Sequence, residues 1–363
     1  MATYRGTPNK DTFFGGRGND VYYVNNLYDF IYDADGNDTA YVSVSFVKIP
    51  SSIENVIYTD GALPLPYWID ALLPDLAAGL NFKALLGNDT VMYYSFPQSL
   101  PDYNTQEEDQ SGYLGFNDLQ IKRTKEALAY ISSIINVQFV ETSNPNQLNT
   151  ISFANNTQPD SAGYAYLPSD ESLGSDIFLD KAINSTLTLR DGQYQTYTLI
   201  HEIGHALGLE HPFGSPDATS SSSDAPHLTS AEDSTVWTVM SYDYSSFAFY
   251  FKFSPLDIAA LQYLYGPSNS AKAGNDTYML WETLPNFIWD GGGTDTLDAQ
   301  NLTQGATIYL APGHWGYIGT TKADTITSAG QITVNFGTAI ENLLGTLFDD
   351  TLSGNDLGNS IEG

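Results

Sequence analysis

Eleven residues constrain this chain more than any other stretch: His201-Glu202-Ile203-Gly204-His205-Ala206-Leu207-Gly208-Leu209-Glu210-His211, which spell HExxHxxGxxH. Residues four apart share a helix face, so His201 and His205 can aim their imidazoles at one point. Glu202 adjoins the first of them, where a carboxylate reaches water held at that point without occupying a ligand position. Gly208 lets the helix stop in a backbone turn that a Cβ would resist. The turn swings His211 back as a third ligand, and Pro212 cannot extend the helix. Three neutral imidazoles plus an open position describe a catalytic zinc site rather than a closed structural one. The bland alternative, an ordinary buried helix with chance histidines, leaves five identities at fixed offsets unexplained.

At 363 residues and 42% hydrophobic content the chain is globular and long enough for two or three domains. It carries 43 acidic against 13 basic residues, a net charge of −30. Nucleic acid and anionic membrane surfaces repel such a chain, so neither is expected as a partner. The acidic excess fits calcium loading through carboxylate and carbonyl oxygens, with general solubility charge as the competing account. The absence of cysteine excludes disulfides, thiolate metal sites and a cysteine-based latency switch. The first residues lead into no apolar core of signal-peptide length, and no stretch reads as membrane-spanning. The expectation is secretion without a cleaved N-terminal signal, with a cytoplasmic chain or a missing leader as the other options.

The first 60 residues contain a nine-residue repeat. Asp11, Asp20, Asp29 and Asp38 follow one another at that step, as do Phe13, Tyr22 and Ile31, two positions after an aspartate. Residues 15–23 form a full GGxGxDxUx unit. That period belongs to a parallel β-roll, whose glycine-rich turns bind calcium and whose short strands each point one apolar residue inward. The C-terminal end repeats the idea: Gly345, Gly354 and Gly363 keep the step, as do Leu352 and Ile361. The segment Asp290-Gly291-Gly292-Gly293-Thr294-Asp295 echoes Asp33-Ala34-Asp35-Gly36-Asn37-Asp38, and Ile340-Glu341-Asn342-Leu343 echoes Ile53-Glu54-Asn55-Val56. The expected division is a calcium-binding β-roll module over 1–61, a zinc domain over 62–266, and a second, short β-roll module over 267–363 that stops in mid-repeat.

The middle segment has ordinary α/β patterning. Strands are predicted near 90–96, 137–140 and 150–153, and a helix over 117–135 with Asn117 and Gln120 as a capping pair. The motif helix is predicted over 193–207, with Leu199, Ile200, Ile203 and Leu207 as its buried stripe. Residues 214–234 read as a mobile loop. A last helix is capped by Ser254, has Pro255 in its first turn, and ends at Gly266 and Pro267.

The HExxHxxGxxH signature followed by Val239-Met240-Ser241-Tyr242 resembles the metzincin metalloproteases and their methionine turn. The Met-Ser-Tyr form and the flanking RTX-like calcium repeats are similar to the serralysins, secreted bacterial zinc endopeptidases. Matrixins share the histidine motif but commonly use a cysteine switch. The likeness covers about residues 65–363, while a calcium module ahead of the protease departs from the family's usual order. It implies an α+β fold: a metzincin domain, built of a twisted sheet plus zinc-site helices, flanked by calcium-binding parallel β-roll or β-sandwich modules.

Carried over residue by residue, the resemblance implies zinc on His201, His205 and His211, with Glu202 as general base. It implies Met240 as an apolar floor beneath the histidines, and Tyr242 as a displaceable fifth ligand that swings to the substrate oxyanion. Gly163, Tyr164, Ala165 and Tyr166 match the family's edge strand above the cleft, where an extended peptide can pair. Calcium loops map onto Lys272, Gly274 and Asp276, then Asp290, Gly292 and Asp295, with Gly293, Asp295 and Glu341 as a neighbouring site and Gly345 with Asp350 as another. The internal repeat extends these to Asp33, Gly36, Asp38 and Glu54, and to Asp11, Gly15, Gly18 and Asp20.

The expected activity is zinc-dependent hydrolysis of peptide bonds in proteins, Glu202 assisting water activated at the metal, with Zn2+ and Ca2+ as cofactors and a monomeric chain. Two rivals stand beside it. One is a calcium-dependent binding or adhesion protein with a latent protease domain. The other is a zinc hydrolase acting on something other than peptides.

Overall fold

A nine-residue repeat of turn and strand closes into two layers when alternate strands fall in the same sheet, which puts strand neighbours 18 residues apart. The computed structural model describes residues 1–75, 90–214, 225–244 and 250–363, and its N-terminal segment coils in this way. Strands Thr3–Arg5, Val21–Val24, Thr39–Val42 and Asn55–Tyr58 form one parallel sheet, and Thr12–Phe14 pairs in parallel with Phe30–Tyr32 in the other. Phe13, Tyr22 and Ile31 are buried between the layers with Val24, Ala40, Val42, Val47 and Ile53.

The aspartates in register do more than line one side. Asp29 Oδ1 accepts the Asp11 amide at 2.9 Å and Asp38 Oδ1 accepts the Asp20 amide at 2.5 Å, each bond crossing 18 residues. Glu54 takes the same role for the Asp38 amide, 16 residues earlier. Each turn thus satisfies a backbone donor of the turn before it, a donor that is costly to bury unpaired.

The central segment carries a sheet in the order Gly163–Ala165, Ile177–Asp180, Thr150–Asn156, Val91–Ser95, Gln138–Glu141, with Leu114–Gly115 also paired to Thr150–Asn156. Along that path only Gly163–Ala165 runs antiparallel to its neighbour, and it is the edge strand. Helix Asp118–Ser132 opens on a reciprocal cap in which Asn117 accepts the Leu119 and Gln120 amides and Gln120 accepts the Asn117 amide. It ends at Ser132, short of the expected Ile135, because the chain turns there and Ile135 pairs with Pro267 instead.

Helix Tyr194–Ala206 is the centre of the molecule. Leu199, Ile200, Ile203 and Leu207 are fully buried, each contributing roughly 1.5–3 kcal/mol by leaving water. Burial is not confined to that stripe, since Gln195, Thr196, Thr198, His201 and Glu202 are buried too. Helix Pro255–Tyr265 packs on the same core, closed at its start by a capping box between Ser254 and Asp257. Of the expected loop 214–234, residues 215–224 lie outside the described residues.

The C-terminal segment returns to parallel pairing. Thr277–Met279, Thr296–Asp298, Asn342–Leu344 and Ser360–Glu362 form one sheet. Asn286–Ile288, Gln331–Val334, Gly316–Ile318, Ala306–Tyr309 and Thr351–Ser353 form the facing one, with an antiparallel excursion through Gly316–Ile318. Its apolar core is a cluster separate from the central one, although Ile326 is buried in the central core. The whole is α+β with several parallel sheets. Among the described residues no helix is long and apolar enough to cross a membrane.

Candidate metal centre and its cleft

The helix Tyr194–Ala206 aims His201 and His205 to one side, and the turn after it returns His211. Gly208 has φ +101°, a conformation open to glycine, and the Leu209 amide closes the helix end on the Gly204 carbonyl at 2.9 Å. The Nε2 atom of His211 then lies 3.1 Å from that of His205 and 3.3 Å from that of His201.

The other ring nitrogens decide what those short distances mean. His201 donates from Nδ1 to the Val239 carbonyl at 2.7 Å, and His205 donates from Nδ1 to the Leu209 carbonyl at 2.8 Å. With their Nδ1 protons so placed, His201 and His205 turn unprotonated Nε2 lone pairs on His211. Burial, followed by mutual repulsion for two of them, lowers His201 to about 3, His205 to about 4 and His211 to about 2. Neutral imidazoles converging at this spacing fit a tetrahedral zinc ion, whose nitrogen ligands stand about 3.3 Å apart when each bond is about 2.0–2.1 Å. Among the described residues this is the one histidine group with metal-ligand geometry.

Glu202 is 5% exposed and lines the same cleft as the histidines. Burial pushes its carboxyl up to about 8. Tyr242 stands at the mouth, more than half exposed, its ring 4.7 Å from that of His211 and 5.8 Å from that of His201. Burial and the Glu202 carboxylate raise its phenol to about 12, so it is a hydrogen-bond donor at neutral pH.

Met240 is fully buried under the motif helix. A Cβ on Gly204 would stand 2.6 Å from its sulfur, so glycine at that position is what lets the methionine turn approach the helix. Asp257 anchors the turn, accepting the Thr238 hydroxyl at 2.6 Å and the Val239 amide at 2.8 Å, while also accepting the Ser254 amide of its own helix cap. Burial raises Asp257 to about 7 despite those donors.

The edge strand Gly163–Ala165 forms one rim of the cleft. Gly163 passes so close to the motif helix that a Cβ would meet Thr198 Cγ2 at 2.7 Å and Glu202 Cγ at 3.2 Å. The side chains of Tyr164 and Tyr166 are tied up by hydrogen bonds to Asp109. What this strand offers a ligand is therefore backbone. The cleft has a volume of about 860 Å³, and an adjoining one of about 430 Å³ shares Gly163, His201, Glu202 and Tyr242 with it, so the groove runs to both sides of the histidines.

The carboxylates assigned to calcium are only partly brought together. Asp20, Asp33 and Asp38 converge with ligand atoms within 4.8 Å of one another, and so do Asp276, Asp290 and Asp295. Gly15 abuts Asp33 and Gly36 abuts Asp38, with the Gly18 carbonyl close beside Gly36. Gly274 and Gly293 are in close backbone contact beside the second, where Gly292 donates to Asp290 and Lys272 takes a positive φ of 49°. Asp33 Oδ1, Asp38 Oδ2 and Asp295 Oδ2 are buried without a hydrogen-bond partner. Asp11, Glu54, Glu341 and Asp350 join neither group. They accept protein donors instead: Thr7, the Asp38 amide, the Asp295 amide, and Thr346 with the Ala306 amide, respectively. Gly345, beside Asp350, donates its amide to the Glu362 carbonyl.

Several residues that shape the site were given no role in the sequence reading. Gly204 sits inside the motif and Asp257 in a stretch that shares the family resemblance, but the partners of both lie far along the chain, so no local signal marks their roles. Phe213, whose ring stacks on His211 at 5.3 Å, could have been suspected from its place two residues on. The N-terminal residues lining the cleft, Phe30 to Asp33 among them, had no signal at all.

Residues 103–220 match the matrixin family. The chain is 31% identical over 319 residues to a serralysin of Proteus mirabilis, a stretch covering 77% of this chain and 62% of that protein. It is 31% identical over 310 residues to serralysin G of Dickeya chrysanthemi, covering 78% and 63%. With the metallopeptidase AprA of Pseudomonas marginalis it shares 30% identity over 323 residues, covering 80% and 65%. The matched stretch thus spans roughly three fifths of the length of these relatives.

Proposed function

We propose, from the premise that this chain is a serralysin-type metzincin, that it is an exported zinc endopeptidase stabilised by calcium. The observation that carries the activity is the convergence of three neutral imidazoles in a groove that also holds the buried Glu202 carboxyl and a strand that is, among the described residues, at the edge of its sheet.

His201, His205 and His211 would hold the zinc, their rings oriented by the Val239 and Leu209 carbonyls. Zinc bound in this way polarises a carbonyl and makes water acidic enough to attack near neutral pH. Glu202 would receive the proton of the attacking water and deliver it to the leaving amine, a role that needs the ionised carboxylate, the form a zinc ion held beside it would favour. Tyr242 would hold a ligand position it can leave, then donate its phenol proton as a hydrogen bond to the developing oxyanion. The backbone of Gly163–Ala165, with Tyr166, would pair with an extended substrate, binding many sequences alike. Met240 supports the histidines from below, and Gly208 shapes the turn that returns the third. Protein and peptide substrates, a monomeric state and export from the cell complete the reading.

Calcium would fill the two carboxylate groups, where orphaned buried oxygens call for a cation. Desolvation, with the neighbouring carboxylates Asp33, Glu54 and Asp20 behind it, raises Asp38, a repulsion that a bound cation offsets. The division into 1–61, 62–266 and 267–363 is proposed on the three separate apolar clusters. Cleavage of unfolded casein by the chain with zinc and calcium, beside the Glu202→Ala variant, tests the activity. Turnover in both would remove Glu202 from its role. Turnover in neither, with zinc confirmed by elemental analysis, would overturn the peptidase reading.

A further inference from the structure

The groove around the histidines is not built by the central segment alone. The strand Phe30–Tyr32 of the N-terminal coil, with Asp33 and residues 50–52, also lines it and adds a wall to it. This wall is firmly seated. Lys48, only 5% exposed, makes ion pairs with Asp70 at 2.8 Å and Asp75 at 3.0 Å. Ser51 donates both its amide and its hydroxyl to Asp75 at 2.6 Å. The Phe46 carbonyl accepts the Tyr263 hydroxyl at 2.8 Å. Leu72, between the two aspartates, accepts the amide of Glu210, the residue before His211, at 2.9 Å. A short chain of contacts thus ties the coil to the third histidine.

We infer that this wall is a substrate subsite, selecting a large apolar or aromatic side chain of the polypeptide to be cleaved; the inference rests on the peptidase reading above. The strand edge in the same groove can pair with any backbone, so selection must come from a surface that meets side chains. Of the coil's apolar lining residues, Phe30, Ile31 and Pro50 are buried and back the wall, so the apolar side chain it presents to the groove is that of Tyr32, beside Asp33, Ser51 and Ser52. Tyr32 is braced before any ligand arrives, its ring stacked on Phe14 at 5.2 Å and met edge-on by Phe30 at 4.3 Å. A preorganised aromatic face binds an apolar side chain without an ordering cost. Among the described residues no lysine or arginine lines the groove, while Asp33, Asp75 and Glu210 do, so an acidic side chain is disfavoured by those residues.

The experiment compares the full zinc- and calcium-loaded chain with Tyr32→Ala and Ser52→Trp. The first removes the braced ring, and the second places a bulky side chain at an exposed position of the wall. Two readouts are taken: cleavage-site profiles on unfolded casein, and affinity of the Glu202→Ala chain, with or without each wall change, for matched peptides bearing Phe or Gly. Tyr32→Ala should reduce the preference for Phe over Gly about tenfold, a change expected in KM more than in kcat. Ser52→Trp should weaken the Phe peptide more than the Gly peptide. Unchanged profiles and affinities in both variants would overturn the subsite. Cleavage lost in the parent chain but Phe preference retained in binding would sink the peptidase reading and leave the subsite standing.

Discussion

His201 donates from Nδ1 to the carbonyl of Val239 at 2.7 Å. That bond fixes the tautomer of the first imidazole from a turn 38 residues further along the chain. The same turn buries Met240 against Gly204 and is held by Asp257. The histidine motif and the methionine turn therefore act as one unit, and most consequences of altering the centre follow from that coupling.

Glu202→Ala should keep one zinc per chain by elemental analysis, because the three imidazoles and their carbonyl partners are untouched. Proteolysis should fall by about 10²–10⁴ or more, the range typical of losing a positioned acid or base. A variant that still turns over would require another base.

Glu202 also sets a pH signature in the metal-free chain. Its folded pKa of about 8 lies above the ordinary 4.5, so between those values the folded state binds the proton that the unfolded state releases. Stability from this group is present below about pH 4.5 and is lost as pH rises through 8. Metal-free Glu202→Gln lacks that loss. Its stability relative to the parent chain should grow between pH 5 and pH 8, by about 1.4 kcal/mol per pH unit at most. Urea unfolding of both chains in chelator at the two pH values reads the difference, and a pH-independent gap would show that Glu202 is not desolvated.

Gly204→Ala drives a methyl group to within 2.6 Å of the Met240 sulfur. The expected cost is about 1–3 kcal/mol, as for other overpacked cores, with weaker zinc binding because the turn also orients His201. Adding Met240→Ala should recover part of the loss from the first change. Strict additivity in a double-mutant cycle would mean the two residues do not press on each other.

Calcium removal should loosen the repeat segments before the zinc core. Amide exchange should rise first around Asp20, Asp33 and Asp38 and around Asp276, Asp290 and Asp295, with helix Tyr194–Ala206 still protected. Asp38→Asn should blunt the N-terminal response. Uniform exchange across the chain in chelator would argue against cation-dependent coils.

Lys48→Met removes the cation shared by Asp70 and Asp75. Burial alone would lower the Lys48 ammonium, yet the two carboxylates more than offset that and hold it above its ordinary value. Leaving both carboxylates uncompensated should cost about 3–5 kcal/mol and release the coil from the groove. Thermal unfolding with fluorescence detection would read it, and an unchanged midpoint would mean the pairs are solvated.

Much of this was legible in the sequence because the relevant physics is local or periodic. Offsets within eleven residues determine that His201, His205 and His211 can share a point. The nine-residue step determines two-layer coiling and puts Phe13, Tyr22 and Ile31 inside. Capping residues located the starts of the helices at Asn117 and Ser254. The tertiary structure alone decided the rest, since it depends on which distant surfaces meet. Register aspartates read as cation ligands, but Asp29, Asp38 and Glu54 also serve the preceding turn's amides, and convergence brings Asp20 and Asp38 of the series together with Asp33 from outside it. Asp257 became an anchor only when its helix packed beside Val239. The N-terminal coil became a wall of the groove through long-range contacts, the buried Lys48 held between Asp70 and Asp75 foremost. Spacing along a chain sets what neighbours can do; burial and long-range pairing decide which residues become neighbours.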